Sequence, residues 1–365
     1  MYLLNPHSLD MFKTPLSYRL TGKRPLKKYE VFFDEFLKLG GQLLFDFSET
    51  SFSRISKFWV LLLPVIFFEI VIWAFINGVP LSRLRFTFDE GESVVVFTYK
   101  GATEMNSIKS SFLARADTIF WHFSHYMIRT SEKARRIEGY SHKSVVLADS
   151  DIRENLLFKK YFPFFAERPL IILPFVPANR FLMSRSFDDR ICDKIYASGT
   201  YHDLSNDMDS VDAVNTFGRF SHHFLREDIA RLRPEWMEDG LGAFDEQSGP
   251  KQSDYFKRDI VEIFNSYALV VCGDELCGLP AISNFEAMAC GAIPIVNGDN
   301  YKGLGLEPGI HFLEHNGVVD DLKKWLSPDQ LVFESGLTKR RKISEHLLAK
   351  VRSSLIQIFE YPRLK

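Results

Sequence analysis

Short apolar runs rich in β-branched and aromatic residues recur along this chain, separated by stretches with helical patterning. This alternation restricts the available folds more than any other feature. The runs are Gln42–Phe47, Ile70–Ala74, Val94–Tyr99, Asp117–Trp121, Ser144–Ala148, Leu170–Phe175, Lys194–Ala197, Ala268–Cys272 and Ala292–Val296. Several, such as Leu269-Val270-Val271, are apolar throughout rather than alternating with polar residues. Strands of that kind are covered on both faces, as in parallel sheets flanked by helices. The chain has 365 residues, enough for two domains. Pro174 and Pro177 stand close together in Pro174-Phe175-Val176-Pro177-Ala178-Asn179, where they end a strand and stiffen a connection. The reading is α/β, with one domain over residues 1–175, a second over 176–340 and a C-terminal helix over 341–365. In that helix Ile343, Leu347, Leu348, Val351, Leu355 and Ile358 recur at helical spacing. A cleft between two α/β domains suits a nucleotide ligand.

The net charge of −2 supplies no basic field, so nucleic acid is not an expected partner. None of the cysteines, Cys192, Cys272, Cys277 and Cys290, forms a Cys-x-x-Cys pair or sits with histidines at zinc spacing. This usage suits a reducing compartment. The first residues, Met1–Leu16, lack the charged and apolar regions of a signal peptide, and the expected location is cytoplasmic. Phenylalanine is abundant, with 34 copies, many of them in and after the nearly unbroken apolar stretch Phe58–Ile76. That stretch is long enough for a membrane span, but Pro64 interrupts a helix and Glu69 is expensive in lipid. Three readings stay open: a buried helix leading into a strand at Ile70–Ala74, a peripheral membrane-docking element on the inner face of the membrane, and a true span.

The chemistry concentrates in Ala268–Val296. Ala268–Cys272 reads as a buried strand, Gly273–Pro280 as a turn-rich loop at its carboxyl end, and Ala292–Val296 as the next strand. Between them, Ser283-Asn284-Phe285-Glu286 matches a capping box, with Ser283 as the helix cap and Glu286 reaching back. Gly291 stops the helix. A helix start at the carboxyl end of a parallel strand presents free N–H groups and a positive dipole end, which suits a diphosphate. Glu286, in the first turn, is a candidate for the ribose hydroxyls.

Gly278-Leu279-Pro280, followed by Phe285-Glu286-Ala287-Met288-Ala289-Cys290-Gly291-Ala292-Ile293-Pro294, resembles the donor-binding motif of group 1 glycosyltransferases of the GT-B fold. Tyr301–Leu306, Pro308–Phe312 and Asp320-Asp321-Leu322 extend the likeness toward the variant group that includes spore-coat CgeB-like and exostosin-like transferases. The resemblance is specific over about residues 255–325, weaker over 175–200 and topological over 1–175. It implies two Rossmann-like domains facing a cleft, the first for the acceptor and the second for a nucleotide-sugar. The implied activity is metal-independent hexosyl transfer, without a cofactor, from a nucleotide-sugar to a glycan or lipid-linked acceptor, as in bacterial surface polysaccharide synthesis. One departure stands out. The common motif has two glutamates eight positions apart, yet Gly278 occupies the first of these positions, and Glu275 lies eleven residues before Glu286. Either the loop carries an insertion or the first carboxylate is absent.

The donor-binding candidates are Gly199, Thr200, His202, Glu275, Gly278, Pro280, Ser283, Asn284 and Glu286. Gly199 lets backbone approach a phosphate, and His202 is a donor to it. Arg219 and Arg226 are candidates for the charge on the leaving diphosphate. In the first domain, Lys100-Gly101-Ala102-Thr103 resembles the loop that carries a histidine in GT-B relatives, and His122 and His125 are candidate acceptor bases. Asp149-Ser150-Asp151 and Asp207-Met208-Asp209 are Asp-x-Asp strings of the sort that hold metal in a different transferase fold, and no metal is expected here. Two other readings remain: a nucleotide-sugar epimerase of the same fold, and a non-catalytic binding module, which Gly278 favours.

Overall fold

The computed structural model describes residues 1–6, 29–46, 59–76, 78–98, 108–124, 126–127, 130–205, 208–219, 221–243 and 258–363. His125, Lys100–Thr103 and Asp207, all named above, lie outside the described residues. The chain divides into two units. The first comprises Met1–Asp149, Lys159–Leu173 and Lys350–Lys365, and the second Ser150–Phe158 and Pro174–Ala349.

In the first unit the strands are β1 (Tyr2–Leu4), β2 (Gln42–Leu44), β3 (Leu84–Arg85), β4 (Ser93–Phe97), β5 (Thr118–Phe123), β6 (Ser144–Ala148) and β7 (Leu170–Ile172). They form one parallel sheet in the order β3-β2-β1-β4-β5-β6-β7. Its centre is apolar on both faces: Val94, Val95, Val96, Ile119, Phe120 and Trp121 are all fully buried. The expected strand at Ile70–Ala74 is instead the end of helix α1 (Trp59–Ile76), which runs on through Pro64. Ile70, Trp73 and Ala74 are buried while Phe75 and Ile76 are exposed, so the core-facing residues recur at three and four positions. A continuous apolar run fits either element, and here the helical period decides. Among the described residues, no helix is long and apolar enough to cross a membrane.

The second unit holds β8 (Ile191–Tyr201), β9 (Met237–Ala243), β10 (Tyr267–Val271), β11 (Ile293–Val296) and β12 (Leu313–Glu314). They too are parallel, in the order β12-β11-β10-β8-β9. From β8 the chain moves to one side for β9 and then to the other for β10, so the direction reverses between β8 and β10. Leu269, Val271, Ile293 and Ile295 pack with Ile195, Ala197 and Phe333 as the core of this sheet.

The C-terminal helix α2 (Ile343–Glu360) buries Ile343, Leu347, Val351, Leu355 and Ile358 completely and leaves Leu348 half-buried. From Lys350 onward it belongs to the first unit. There Arg352 makes a two-pronged bond to Glu35 at 2.8 and 3.1 Å, and Phe359 packs on Phe36.

Candidate functional site

Ligands of open parallel sheets sit beyond the carboxyl ends of the strands where the strand order reverses. In the second unit that place is the junction of β8 and β10, and a glycine stands at the end of each. Gly199 in β8 has φ +115° and Gly273 after β10 has φ +62°, conformations that strain any residue with a Cβ. The side chain of Arg226 threads between them. A Cβ at Gly273 would fall 2.6 Å from its Cγ and Nε, and one at Gly199 2.8 Å from its Nη1. Arg226 stands near the start of helix Leu225–Leu232, is 8% exposed, and donates to the Asp274 carbonyl. Beside it, the buried Glu227 accepts from the His202 backbone N–H at 3.1 Å, and burial pushes its carboxyl up from the usual range.

The loop after β10 is held from beneath by a polar cluster that the sequence reading did not assemble. The Asp274 carboxylate accepts from Asn300 Nδ2 at 2.9 Å, from the Tyr301 hydroxyl at 2.8 Å and from the Asn297 N–H at 3.3 Å. Burial pushes its pKa up to about 6, although these donors pull the other way. Asn284 is fully buried in the same cluster, donating to the Gly273 carbonyl at 3.0 Å and to Tyr301 at 2.6 Å. It therefore supports the loop from below. The Asn297-Gly298-Asp299-Asn300 turn was the available signal, because amides in a turn after a buried strand are ready donors to a carboxylate.

The capping box does not form. Helix α3 (Ile282–Ala289) begins earlier, with Ala281 as N-cap and no side-chain cap. Ala281, just after Pro280, is extended at φ −79° and ψ 136°, and the helix winds from Ile282. Ser283 is thus inside the first turn and hydrogen-bonds the Cys272 thiol, which burial pushes up to about 12. The Asn284 N–H turns back to the Ala281 carbonyl at 3.1 Å, and no side chain caps the N–H groups of Ile282 and Ser283 before it. Glu286 is half-buried one turn further on. Glu275 to Leu279 closes as a turn, with Glu275 N–H donating to Leu279 at 2.9 Å and Gly278 N–H to Glu275 at 2.8 Å. Gly278 has φ +73° and lies against His223, whose ring stacks on Phe217 with centroids 3.7 Å apart. Burial lowers both His223 and neighbouring His315 to about 3, so both are neutral.

No family model matches the chain, and no curated protein matches it in sequence. In three dimensions it is similar to HepE of Anabaena, solved in complex with UDP and glucose, at a TM-score of 0.51 and 12% identity, with 98% of each chain covered. The chain has the GT-B glycosyltransferase fold. A weaker likeness, at TM-score 0.46 and 12% identity over 100% of this chain and 98% of that one, is to sucrose-phosphate synthase from Thermosynechococcus elongatus.

Within this GT-B chain the second unit carries Gly199 and Thr200 on β8, His202 just after it, Glu275, Gly278 and Pro280 in the loop after β10, and Ser283, Asn284 and Glu286 on α3. Arg219 precedes helix Leu225–Leu232. It pairs with Asp228 at 3.2 Å, an acceptor it shares with Arg231, so Arg226 rather than Arg219 is the cation between the glycines. Asp151 is paired with Arg153 and lowered by that bond. Among the described residues, no group of His, Cys, Asp and Glu is placed to hold a metal ion.

His122 is a core residue, not an accessible base. It lies on β5 at 1% exposure, between the rings of Phe97 and Tyr29, with Nε2 3.4 Å from the Leu173 carbonyl and 3.5 Å from Asp149. Burial lowers its pKa to about 3. Between pH 6.5 and 3 the unfolded chain therefore takes up a proton here that the folded chain refuses. The stability this group contributes is present above pH 6.5 and is lost as pH falls, by about 1.4 kcal/mol per pH unit. His122→Gln, which keeps a donor toward Leu173, should flatten the acid limb of chemical denaturation by that slope. An unchanged limb would show that His122 is protonated in the fold.

Proposed function

We propose that this protein is a glycosyltransferase that binds a nucleotide-sugar in its second unit and transfers the sugar to a glycan or lipid-linked acceptor. The observation that carries the reading is the Arg226 guanidinium set between Gly199 and Gly273 at the strand-order reversal, beside a helix start with no cap of its own. A diphosphate there gains the α3 N–H groups, the helix dipole and a buried cation, and the glycines give it backbone-close approach. When the bond to the sugar breaks, negative charge grows on the leaving phosphate, and those fixed donors hold it without reorganising. Glu286 takes the ribose hydroxyls, Thr200 and His202 border the phosphates, and the Glu275–Pro280 loop faces the sugar. Hexosyl transfer without a metal is the chemistry this donor set favours. HepE holds UDP and glucose, which makes uridine diphosphate the first ligand to try.

A lipid-linked acceptor of bacterial surface polysaccharide synthesis suits helix α1. Its Phe67, Phe68, Phe75 and Ile76 are 47%, 64%, 84% and 57% exposed, an apolar face of the sort that rests on a lipid surface. The likeness to CgeB-like and exostosin-like transferases rests on the residues from Gly278 to Leu322.

Calorimetric titration with UDP and UDP-sugars tests the reading. Glu286→Ala should weaken binding by about tenfold, the value of one charge-assisted hydrogen-bond set. Unaltered affinity would remove Glu286 from the site. Incubation with labelled donor alone distinguishes the reaction: an epimerised donor would replace transfer as the activity.

A further inference from the structure

Gly278 stands where the common motif carries a glutamate, and the structure shows what fills that space. A Cβ at position 278 would lie 2.6 Å from Asn155 Nδ2. Asn155 sits in Ser150–Phe158, a segment of the second unit that Lys159–Leu173 separates from the rest of it. Its amide nitrogen donates to the Cys277 carbonyl at 2.8 Å and reaches the Gly278 carbonyl at 3.3 Å. Its amide oxygen accepts from the Phe158 N–H at 2.9 Å, which makes Asn155 the cap of the short helix Leu156–Tyr161. Both ends of one carboxamide are therefore committed. One end fixes the side chain to its own helix start, and the other holds the loop.

The loop uses its own N–H groups internally, in the bonds from Glu275 to Leu279 and from Gly278 to Glu275. The carbonyls of Cys277 and Gly278 are the groups it offers outward, and Asn155 takes them. The segment that carries Asn155 is itself fixed to the loop's support. The Asp151 N–H donates to the Lys302 carbonyl at 2.9 Å, next to the Asn300 and Tyr301 side chains that hold Asp274. Asp274 and Asn284 thus hold the loop at its root, and Asn155 holds it at its apex.

We infer that Asn155 is a positioning residue for the sugar-facing loop, fixing the Cys277–Gly278 peptide in the place where GT-B relatives present a carboxylate. The inference rests on the proposed donor site and adds to it the residue that sets the loop's shape. Gly278 follows from it: the amide fills the volume a side chain would need, and φ +73° suits glycine.

Asn155→Ser and Asn155→Asp both keep an oxygen that caps the helix, and both lose the donor to the loop. Asp also sets a carboxylate against two carbonyls. The expected result is a rise in the donor KM of about tenfold for Ser and more for Asp, with a smaller change in kcat, since two hydrogen bonds to the loop are lost. Amide hydrogen exchange at Cys277–Leu279 should quicken by a similar factor, while protection in β10 and β11 stays at the wild-type level. Wild-type KM in both variants, with Arg226 and Glu286 variants impaired, would overturn the inference and leave the donor site standing. If wild-type protein binds no UDP or UDP-sugar, the donor reading fails. Exchange at Cys277–Leu279 then decides the inference by itself, and unchanged protection overturns it.

Discussion

Replacing Arg226 by methionine is expected to lower the rate of sugar transfer by about 10²–10³-fold, the usual effect of removing one preorganised donor from a site of developing negative charge. Methionine keeps an unbranched stem in the slot between Gly199 and Gly273 and removes only the guanidinium. The slot is buried, so the lost charge is not replaced by water at full strength. The effect should fall mainly on kcat, because charge on the leaving phosphate is greatest in the transition state. Calorimetry should show weaker UDP binding as well, since a nucleoside diphosphate is the product of the proposed reaction. The fold loses the bond to the Asp274 carbonyl, worth about 1 kcal/mol. A methionine variant that transfers at the wild-type rate would reduce Arg226 to a fastening between strands and remove the main support for the proposed chemistry.

Gly273→Ala should cost the second unit both stability and donor binding. At φ +62° an alanine costs about 1–2 kcal/mol in backbone strain. The new methyl would also meet Arg226 Cγ and Nε at 2.6 Å, a degree of overpacking that costs about 1–3 kcal/mol more. Together these should lower Tm by about 5–15 °C in a unit of this size. Donor binding should fall along with stability, because the methyl displaces the cation. The two effects separate in a double variant. Arg226→Ala empties the space the methyl needs, so Gly273→Ala added to Arg226→Ala should cost less than Gly273→Ala alone, leaving mainly the backbone strain. Additive losses would mean that the arginine does not occupy the slot.

The sequence made some of this legible and concealed the rest for physical reasons. The unit from β10 through α3 to β11 was readable because its strands are continuous apolar runs and Gly291 ends its helix at φ +86°. β1, β3 and β12 were not, since strands of two or three residues draw their order from neighbours already in the sheet. β9, Met-Glu-Asp-Gly-Leu-Gly-Ala, carries residues that disfavour strands and, among the described residues, is an edge strand held by β8 alone. The Ser-x-x-Glu string suggested a cap because its residues suit one, but the helix winds sooner, from Ile282. Local pattern marks Gly199 and Gly278 as candidates and shows Gly273 only as the first residue of the turn-rich loop. Arg226 was one of two arginines that could not be told apart, because its slot is made by residues up to 48 positions away. Asn155 reaches across 122 positions, and no local signal marks it.

The division of the chain also bears on how the protein is made. Helix α2 puts Arg352 on Glu35, a contact spanning 317 positions, and Phe359 on Phe36. The first unit is therefore not a segment that a ribosome finishes before it starts the second. Its opening strands emerge early and wait, with the apolar surface around Phe36 uncovered, while the whole second unit is synthesised. The second unit lacks only the short stretch Ser150–Phe158 from upstream of Pro174, and that stretch has already left the ribosome when its partners appear. Order during synthesis thus favours completion of the second unit first, and the first unit closes only when helix α2 arrives.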